Sequence, residues 1–360
     1  MTVYSVAVVG LGVGQGHIAE AYAPLTDLFD LRLVCDLDEA RLAQVYESHG
    51  VEGTTNFDDV LARPDIDIVD ICTPSAMHLP LAKAALAAGK HVVCEKPLVG
   101  SLAELADLRE AERNAPGVLM PIYQYRWGSG AQAARKIIDA GLAGRPLVGT
   151  AETHWLRTPE YYASPWRGTW AGELGGTMTT HATHIHDMLT WLMGPPEAVF
   201  GRSATRVHDI EVEDCASASL RLASGALASL TATVGSRDEY SRLYMAFENV
   251  SFESTRAPYA VGRGPWTITA RDPELQAQVD AIAAETANVR ERFAGQLSAF
   301  HESLSTGAPP PVTIDDADAA LSLLTAFYRS SQTGREVQLP FAANDPARAG
   351  WTPATLTEEV

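Results

Sequence analysis

A predicted buried strand followed at once by an acid, a base and a proline is the most chemically suggestive feature of the sequence. Three apolar residues after His91 predict the strand, and Glu95, Lys96 and Pro97 come directly behind it. Pro97 cannot donate a hydrogen bond to a sheet, so the strand ends here. Ligands of open parallel sheets bind beyond the carboxyl ends of the strands. Glu95 and Lys96 are therefore candidates for ligand contact, although a surface ion pair would have the same sequence.

A second segment, residues 161–170, combines aromatic side chains with an arginine and includes Trp166 and Arg167. Aromatic rings stack on the apolar faces of sugar rings, and a guanidinium group donates hydrogen bonds to hydroxyls or carboxylates. This composition predicts a contact with a sugar-like substrate. The alternative is a loop whose aromatic residues close over the core.

Three histidines follow the glycine pair Gly175-Gly176. On a helix His181 and His184 would share a face, whereas His186 would point elsewhere. Three imidazoles suggest zinc, but no matching pair of ligands is evident elsewhere, so we predict no metal. A structural polar helix remains an alternative. Neutral imidazoles that face a cleft and transfer protons fit the pattern better.

A glycine-rich turn follows the first predicted strand, residues 5–9. Gly10 and Gly12 match the positions where a dinucleotide-binding turn reverses and where its backbone approaches pyrophosphate. The third glycine should be residue 15, which is Gln15, with a glycine on either side of it. The predicted cofactor-binding residues of this turn are Gly10, Gly12, Val13, Gly14 and Gly16.

An acid ends the second predicted strand, residues 31–35. Asp36 lies 20 residues after Gly16, close to the spacing of the acid that binds a ribose 2′-hydroxyl. The alternative is an aspartate that caps the helix beginning near Asp38. Two acids here would repel the 2′-phosphate of NADP, although Arg41 could compensate in part. We therefore expect NAD rather than NADP.

Strands and helices alternate through the first third of the chain, which predicts a doubly wound parallel sheet, that is, a Rossmann α/β domain over residues 1–123. After residue 123, β-rich runs joined by short turns predict an α+β domain over residues 124–340, with a mainly antiparallel open sheet and helices on one face. Residues 341–360 read as an irregular tail.

Composition excludes several classes of partner. The net charge is −18 and no Lys/Arg cluster is present, so we expect neither nucleic acid nor an anionic membrane as a partner. The N-terminus begins with a strand-like run and has no signal or membrane-spanning pattern. Four cysteines without metal-like spacing indicate free thiols in a reducing cytoplasm.

Several motifs, taken in order, together resemble the glucose-fructose oxidoreductase / inositol dehydrogenase (Gfo/Idh/MocA) family from Val6 to about Thr333. They are Gly10-Leu11-Gly12, Asp36, Thr73-Pro74 with His78, Glu95-Lys96-Pro97, and Gly175-Gly176 with His184 and Asp187. The resemblance implies an N-terminal Rossmann domain that holds NAD or NADP. It also implies a C-terminal sheet that forms the substrate wall and the interface of a homodimer or homotetramer.

The implied activity is transfer of hydride between NAD and a ring hydroxyl or ketone of a sugar, sugar derivative or cyclitol. In this family a lysine matching Lys96 and a histidine matching His184 serve the substrate and its proton. Thr180 stands where the family has an aspartate, with His181 beside it. Lys96 as the base is an alternative. A catalytically silent sugar- or cofactor-sensing regulator and an NAD-dependent glycosidase are alternative functions.

The full set of predicted site residues has three parts. The catalytic residues are Lys96, Thr180 and His184. Beyond the glycine turn, the cofactor-binding residues are Asp36, Thr73, Pro74, His78, Glu95 and Lys96. The substrate-binding residues are Lys96, Arg126, His154, Trp166, Arg167, His181 and His184.

Overall fold

The computed structural model describes residues 2–353, which form two compact units. The first unit contains the chain up to Tyr123 together with residues 292–317, and the second contains the remainder. None of the helices in residues 2–353 is both long and apolar enough to cross a lipid bilayer.

The first unit contains a six-stranded parallel sheet in the order β3-β2-β1-β4-β5-β6. The strands are β1 Tyr4–Val9, β2 Phe29–Cys35, β3 Glu52–Thr54, β4 Ile68–Ile71, β5 His91–Cys94 and β6 Leu119–Pro121. The central strand β4 is buried along its whole length because helices cover both faces of such a sheet. The strand order reverses between β1 and β4, and ligands of this architecture bind beyond the carboxyl ends of the strands at that point.

Helices connect these strands, and three of the five named here begin at polar caps. They are Gly14–His17, Glu39–His49, Phe57–Ala62, His78–Ala87 and Leu102–Arg113. The side chains of Asp38, Asn56 and Ser101 each accept a backbone N–H of the first turn that follows them. The helix that was predicted to begin near Asp38 begins at Glu39, directly after this cap.

Residues 292–317 belong to the first unit, whereas the sequence prediction placed them in the second. The buried amide of Gln296, on the helix Arg292–Thr306, explains the difference. Its Oε1 accepts the N–H of Tyr123 at 3.0 Å, and its Nε2 donates to the carbonyl oxygen of Pro121 at 2.7 Å. The side chain thus pairs with the outer strand β6 as another strand would. Periodicity identifies the helix but does not reveal this partner.

The second unit contains an eight-stranded, mainly antiparallel sheet in the order β13-β12-β11-β7-β10-β9-β8-β14. The strands are β7 Pro146–Leu156, β8 Pro196–Ala204, β9 Cys215–Leu222, β10 Leu227–Thr233, β11 Gly235–Phe247, β12 Val250–Glu253, β13 Thr267–Ala270 and β14 Val337–Gln338. Only β7 and β10 pair in parallel. In β9, Ser217 and Ser219 are exposed whereas Ala218 and Leu220 are buried, so one face of the sheet stays polar and open.

The helices of this unit are Ser129–Asp139, Trp170–Glu173, Thr177–Thr180, Thr183–Met193, Pro273–Thr286 and most of Ile314–Thr333. The helix Pro273–Thr286, capped by Asp272, was not predicted from the sequence. The predicted irregular tail contains a short 3₁₀ turn, Pro346–Ala349, and its residues 354–360 lie outside the described part.

Candidate active site

The glycine turn after β1 reverses the chain where a side chain has no room. Gly10 has a φ of +92°, and its N–H donates to the carbonyl oxygen of Cys35 at 2.8 Å. A Cβ atom on Gly10 would lie 2.7 Å from the carbonyl carbon of Cys72. At Gly12 the nearest atom to such a Cβ is Nη1 of Arg41, at 3.9 Å. A tight reversal followed by accessible backbone is what a dinucleotide pyrophosphate requires.

The third glycine of the turn is Gly14 and not the residue that the fingerprint spacing predicts. A Cβ atom on Gly14 would lie 2.7 Å from Cγ1 of Val8, so the helix packs directly on β1. A Cβ on Gly16 would meet nothing within 4 Å, and Val13 is half exposed. The helix continues as a π-helical turn over Ile18–Tyr22. Such a turn accommodates one additional residue, which fits a loop of non-standard spacing.

Asp36 lies at the carboxyl end of β2, beside the glycine turn. Its Oδ2 accepts the N–H of Leu11 at 2.6 Å, and its Oδ1 accepts the N–H of Asp38 at 2.9 Å. Asp38 itself caps the following helix by accepting the N–H of Ala40. The capping alternative therefore applies to Asp38. The position of Asp36 fits the acid that binds a ribose hydroxyl.

The loops after β4 and β5 are joined by His78, which was predicted to bind the cofactor. Its buried ring contacts the carbonyl oxygen of Pro97 through Nδ1 at 2.8 Å and that of Thr73 through Nε2 at 2.9 Å. Burial lowers the pKa of His78. Both ring nitrogens face backbone oxygens, so His78 holds the two loops together. Pro74 follows Thr73 and leads into the 3₁₀ turn Ser75–Met77.

Glu95 turns inward, and its backbone neighbour Lys96 remains the candidate for ligand contact. The Glu95 carboxylate is buried, with Oε1 3.0 Å from Nε2 of His17. Its Oε2 accepts the N–H of Lys96 at 3.0 Å. Glu95 was predicted to bind the cofactor, but its carboxylate instead positions the loop after β5. The Lys96 side chain is half-buried at the end of this loop.

In the second unit, a buried glutamate shapes the glycine pair that precedes the histidines. Oε2 of Glu213 accepts the N–H of Gly176 at 2.9 Å. Its Oε1 accepts the N–H of Met178 at 3.0 Å and the hydroxyl of Tyr328 at 2.9 Å. A Cβ atom on Gly176 would lie 1.8 Å from the carbonyl oxygen of Glu213, and one on Gly175 would lie 2.3 Å from the Tyr328 hydroxyl. Burial raises the pKa of Glu213 to about 7.

Thr180 pairs with His181, although it was predicted to stand in the relay position of His184. Its Oγ1 donates to the carbonyl oxygen of Gly176 at 2.8 Å and lies 2.6 Å from Nδ1 of His181. A hydroxyl has one proton, so Oγ1 accepts from a protonated Nδ1 of His181. The neutral His181 ring then carries its lone pair on Nε2. The helix is interrupted after Thr180, which separates it from His184.

His184 is buried and stacks on Tyr125, with ring centroids 4.6 Å apart and planes inclined by 18°. His186, two residues further along the same helix, makes no hydrogen bond with either ring nitrogen among the described residues. Burial lowers the pKa of His186 to about 3, so this ring stays neutral. His184 is therefore the histidine of this helix that remains a candidate for proton transfer.

Arg126 was predicted to bind substrate, but it forms an internal ion pair. Its Nε lies 2.8 Å from Oδ2 of Asp187 and its Nη2 lies 2.5 Å from Oδ1, and both side chains are buried. The guanidinium group also lies over the ring of Trp191. A buried bidentate pair of this kind fixes the helix that carries His184.

Arg167 is also neutralised within the unit. Its Nη1 lies 3.2 Å from Oε1 of the buried Glu173 and contacts the hydroxyl of Tyr161. The guanidinium carbon lies 4.0 Å from the ring centre of Tyr161 and 4.4 Å from that of Trp166. The Tyr161 ring in turn lies 5.7 Å from that of His181. The predicted aromatic segment thus borders the histidines, and Trp166 keeps an exposed fraction of 39%.

His154 was predicted to bind substrate, but it lies on the other face of the sheet from His181. Its neighbour Trp155 lies on the histidine side of β7, with ring centroids 5.6 Å from His181. Successive side chains of a strand point to opposite faces. His154 therefore lies on the open face, where its Nε2 contacts Oγ1 of Thr231 at 3.0 Å.

Sequence reasoning missed several residues that shape these sites. They are His17, Asp70, Tyr125, Trp155 and Glu213. Two of them leave a signal, since Asp70 is a charge within an apolar strand and Glu213 precedes a second acid at the start of β9. Such acids require buried partners, but the sequence does not say which.

Two family models match the chain. The model for the oxidoreductase family with an NAD-binding Rossmann fold (GFO_IDH_MocA) matches residues 4–123. The model for the GFO/IDH/MocA C-terminal domain matches residues 131–253. Together the two matches cover more than half of the chain.

Individual relatives agree with these matches. A levoglucosan dehydrogenase from Pseudarthrobacter phenanthrenivorans is 26% identical over an alignment of 373 positions, gaps included. The alignment covers 94% of this chain and 92% of that protein. A myo-inositol 2-dehydrogenase from Thermotoga maritima is 27% identical over an alignment of 339 positions. The alignment covers 91% of this chain and 97% of that protein. Among solved structures, the WlbA dehydrogenase of Bordetella pertussis, crystallised with NADH and UDP-GlcNAcA, is 28% identical and superposes with a TM-score of 0.84. This match covers 94% of our chain and 98% of the WlbA chain.

These comparisons confirm the predicted resemblance, the fold class and an NAD-dependent dehydrogenase that acts on CH–OH groups. They support neither the regulator nor the glycosidase alternative. The roles of the individual site residues stay predictions.

We expect Gly14→Ala to destabilise the first unit and Gly16→Ala to leave it intact. The new methyl group at position 14 would overlap Cγ1 of Val8, whereas position 16 is open. The first change should lower the free energy of unfolding by about 1–3 kcal/mol. The second should raise it by up to about 1 kcal/mol, because alanine favours a helix. Urea denaturation without cofactor measures both, and equal stability of the two variants would contradict the packing role of Gly14.

We expect Glu213→Gln to remove a pH dependence of stability. The pKa of Glu213 is about 7 in the folded protein against an ordinary value of 4.5. The folded state therefore binds this proton more tightly, so the contribution is complete below pH 4.5 and is lost as the pH rises through 7. The unfolding free energy of the wild type should fall relative to that of Glu213→Gln by about 3 kcal/mol over this range.

Urea denaturation at several pH values from 4.5 to 8 measures this difference. The exposed Glu211, whose replacement by glutamine removes the same charge nearby, is the matched control. Parallel curves for the wild type and Glu213→Gln would show that Glu213 titrates normally.

Proposed function

The chain belongs to the GFO/IDH/MocA oxidoreductase family, and on that premise we propose that it oxidises a ring hydroxyl of a sugar, sugar derivative or cyclitol with NAD, or catalyses the reverse reduction. The observation that carries this proposal is that the chain combines a glycine-rich dinucleotide turn with retained Lys96 and His184. Relatives named for levoglucosan and myo-inositol, and one crystallised with UDP-GlcNAcA, support a cyclic polyol as substrate.

The residues of the glycine turn fit NAD. Gly10 allows the tight reversal, Gly12 leaves the backbone open to a pyrophosphate, and Asp36 lies beside them to accept hydrogen bonds from the ribose. A 2′-phosphate would meet the charges of Asp36 and Asp38, and Arg41, with Nη1 3.5 Å from Oδ2 of Asp36, offsets only part of this repulsion. When bound, the nicotinamide accepts or supplies the hydride.

The protein supplies the base that this oxidation requires. An alcohol is oxidised readily only if its proton is removed as the C–H bond breaks, which needs a base with a pKa near neutrality. An imidazole ordinarily titrates near 6.5, and we assign this role to His184. Stacking on Tyr125 fixes the plane of its ring.

We assign to Lys96 the stabilisation of the negative charge that develops on a substrate oxygen during oxidation. Its backbone is held by Glu95, so the ammonium group extends from a fixed point. Lys96 as the base, with His184 orienting the substrate, is the alternative assignment. His181 is a further candidate base, because Thr180 fixes its tautomer and leaves the lone pair on Nε2.

We also propose that the protein is cytoplasmic and forms a homodimer or homotetramer. All four cysteines are free thiols, as expected in a reducing compartment. The open face of the second sheet carries small polar residues such as Ser219 and Ser229, which are paired across β9 and β10. A regular flat surface of this kind suits a symmetric contact with a second copy.

The dehydrogenase assignment predicts NADH formation from some member of a panel of monosaccharides, anhydrosugars, inositols and sugar acids. With the best substrate, His184→Asn should lose about 10²–10⁴ in rate together with the acidic limb of the pH profile of kcat/KM. His186→Asn, on the same helix, is the control and should keep that limb, because the pKa of His186 is far from neutrality. A His184→Asn variant that keeps both the rate and the limb would transfer the role to Lys96 or His181.

The assembly proposal predicts a particle mass that is a multiple of 38.6 kDa by light scattering at micromolar concentration. Ser219→Lys should shift the particle toward the monomer, because like charges would face each other across a symmetric interface. Glu47→Lys, on an exposed helix of the first unit, is the control and should leave the mass unchanged. A monomeric wild type would refute the proposal.

A further inference from the structure

A buried ion cluster connects the glycine turn to the loop that carries Lys96. His17 lies on the helix after the turn and is fully buried. Its Nδ1 is 2.7 Å from Oδ2 of Asp70 in β4, and its Nε2 is 3.0 Å from Oε1 of Glu95. The hydroxyl of Tyr22 donates to the same Asp70 oxygen at 2.9 Å. The three elements that these side chains join are distant in the sequence.

The geometry favours a positively charged histidine. A neutral imidazole donates at one nitrogen and accepts at the other, so one lone pair would face an ionised carboxylate oxygen. With both carboxylates ionised, both contacts are favourable when both nitrogens of His17 carry protons. Burial, the largest single influence, would lower the pKa of His17, but the charge of Asp70 and the other polar contacts of the ring together outweigh it, so the pKa lies well above the ordinary value.

Water cannot replace these contacts. The ring of Phe293 covers His17, with centroids 4.1 Å apart. The thiol of Cys72 lies 3.6 Å from Nδ1, and burial raises its pKa, so it stays protonated. Buried ion pairs seldom stabilise a fold more than apolar packing would, and a positional role is their best-attested use.

The contacts of Glu95 connect His17 to the backbone of Lys96. While Oε1 holds His17, Oε2 accepts the N–H of Lys96 at 3.0 Å. One carboxylate thus connects the imidazolium to the backbone of the lysine. If His17 were uncharged or absent, Glu95 would be a buried carboxylate without its cation, and it would have to move or take up a proton. Either change would release the backbone of Lys96.

We propose that His17 is a positioning residue, which holds Glu95 and, through it, the backbone of Lys96 at a fixed place relative to the cofactor-binding turn. The inference rests on the proposed role of Lys96 in catalysis. It assigns no contact between His17 and the substrate.

Hydrogen exchange tests the structural half of the proposal without catalysis. In the full-length protein without cofactor, His17→Asn should speed the exchange of the Lys96 N–H about tenfold or more, because its acceptor is no longer held. His301→Asn is the matched control, since His301 is also a buried histidine of the first unit and contacts the carbonyl oxygen of Thr2. It should leave exchange at Lys96 unchanged. Glu95→Gln, which keeps the shape of the side chain, replaces His17→Asn if that variant does not fold.

A double-mutant cycle tests the functional half. His17→Asn should lower kcat about tenfold to a hundredfold in the wild-type background, and less than about threefold in Lys96→Met, because residues that act through one another are not additive. Full multiplication of the two losses, or unchanged exchange at Lys96, would overturn the proposal and leave His17 with a folding role. If Lys96→Met keeps the wild-type kcat, the catalytic assignment of Lys96 fails, and the exchange measurement still decides whether His17 positions the loop.

Discussion

A buried carboxylate must receive hydrogen bonds, and in this protein the donors are the backbone N–H groups of the functional loops. Asp36 receives the N–H of Leu11 in the glycine turn, and Glu95 receives that of Lys96. In the second unit Glu213 receives the N–H of Gly176. Each loop is therefore held at its backbone by a carboxylate, which comes from another part of the chain for Asp36 and Glu213 and from the preceding residue for Glu95. Loops without secondary structure of their own gain a defined position in this way.

The same requirement explains why charged residues that appeared suited to a ligand turn out to be internal. Arg126 pairs with Asp187, and Arg167 pairs with Glu173. An arginine among aromatic residues looks the same in the sequence whether its guanidinium group faces a substrate or a buried carboxylate. The difference depends on an acid in a different segment, which one sequence does not reveal. The polar residues predicted for the site therefore include some that pair with a buried carboxylate inside the protein, as Arg126 and Arg167 do. Others, such as Lys96, remain candidates for ligand contact.

Local signals predicted most of the fold. The strand β9, Cys215–Leu222, is an example, because its alternating sequence flanked by turn residues is the local signal of a strand with one buried face. Long-range partners were not predictable, as the return of residues 292–317 to the first unit shows. The glycine fingerprint failed at its third position for a related reason. Which glycine packs on the sheet depends on the contact with Val8 of β1, and here that glycine is Gly14.

The replacement of an acid by Thr180 changes what the proton site can do. A carboxylate there would place a negative charge near the histidines and favour their protonated forms. A hydroxyl carries no charge, and this one is committed by its bond to the carbonyl oxygen of Gly176. It can only accept from His181, so it selects a tautomer without stabilising an imidazolium by charge. The arrangement of Thr180 therefore gives His181 no charged partner at this hydroxyl and leaves the lone pair of a neutral ring on Nε2.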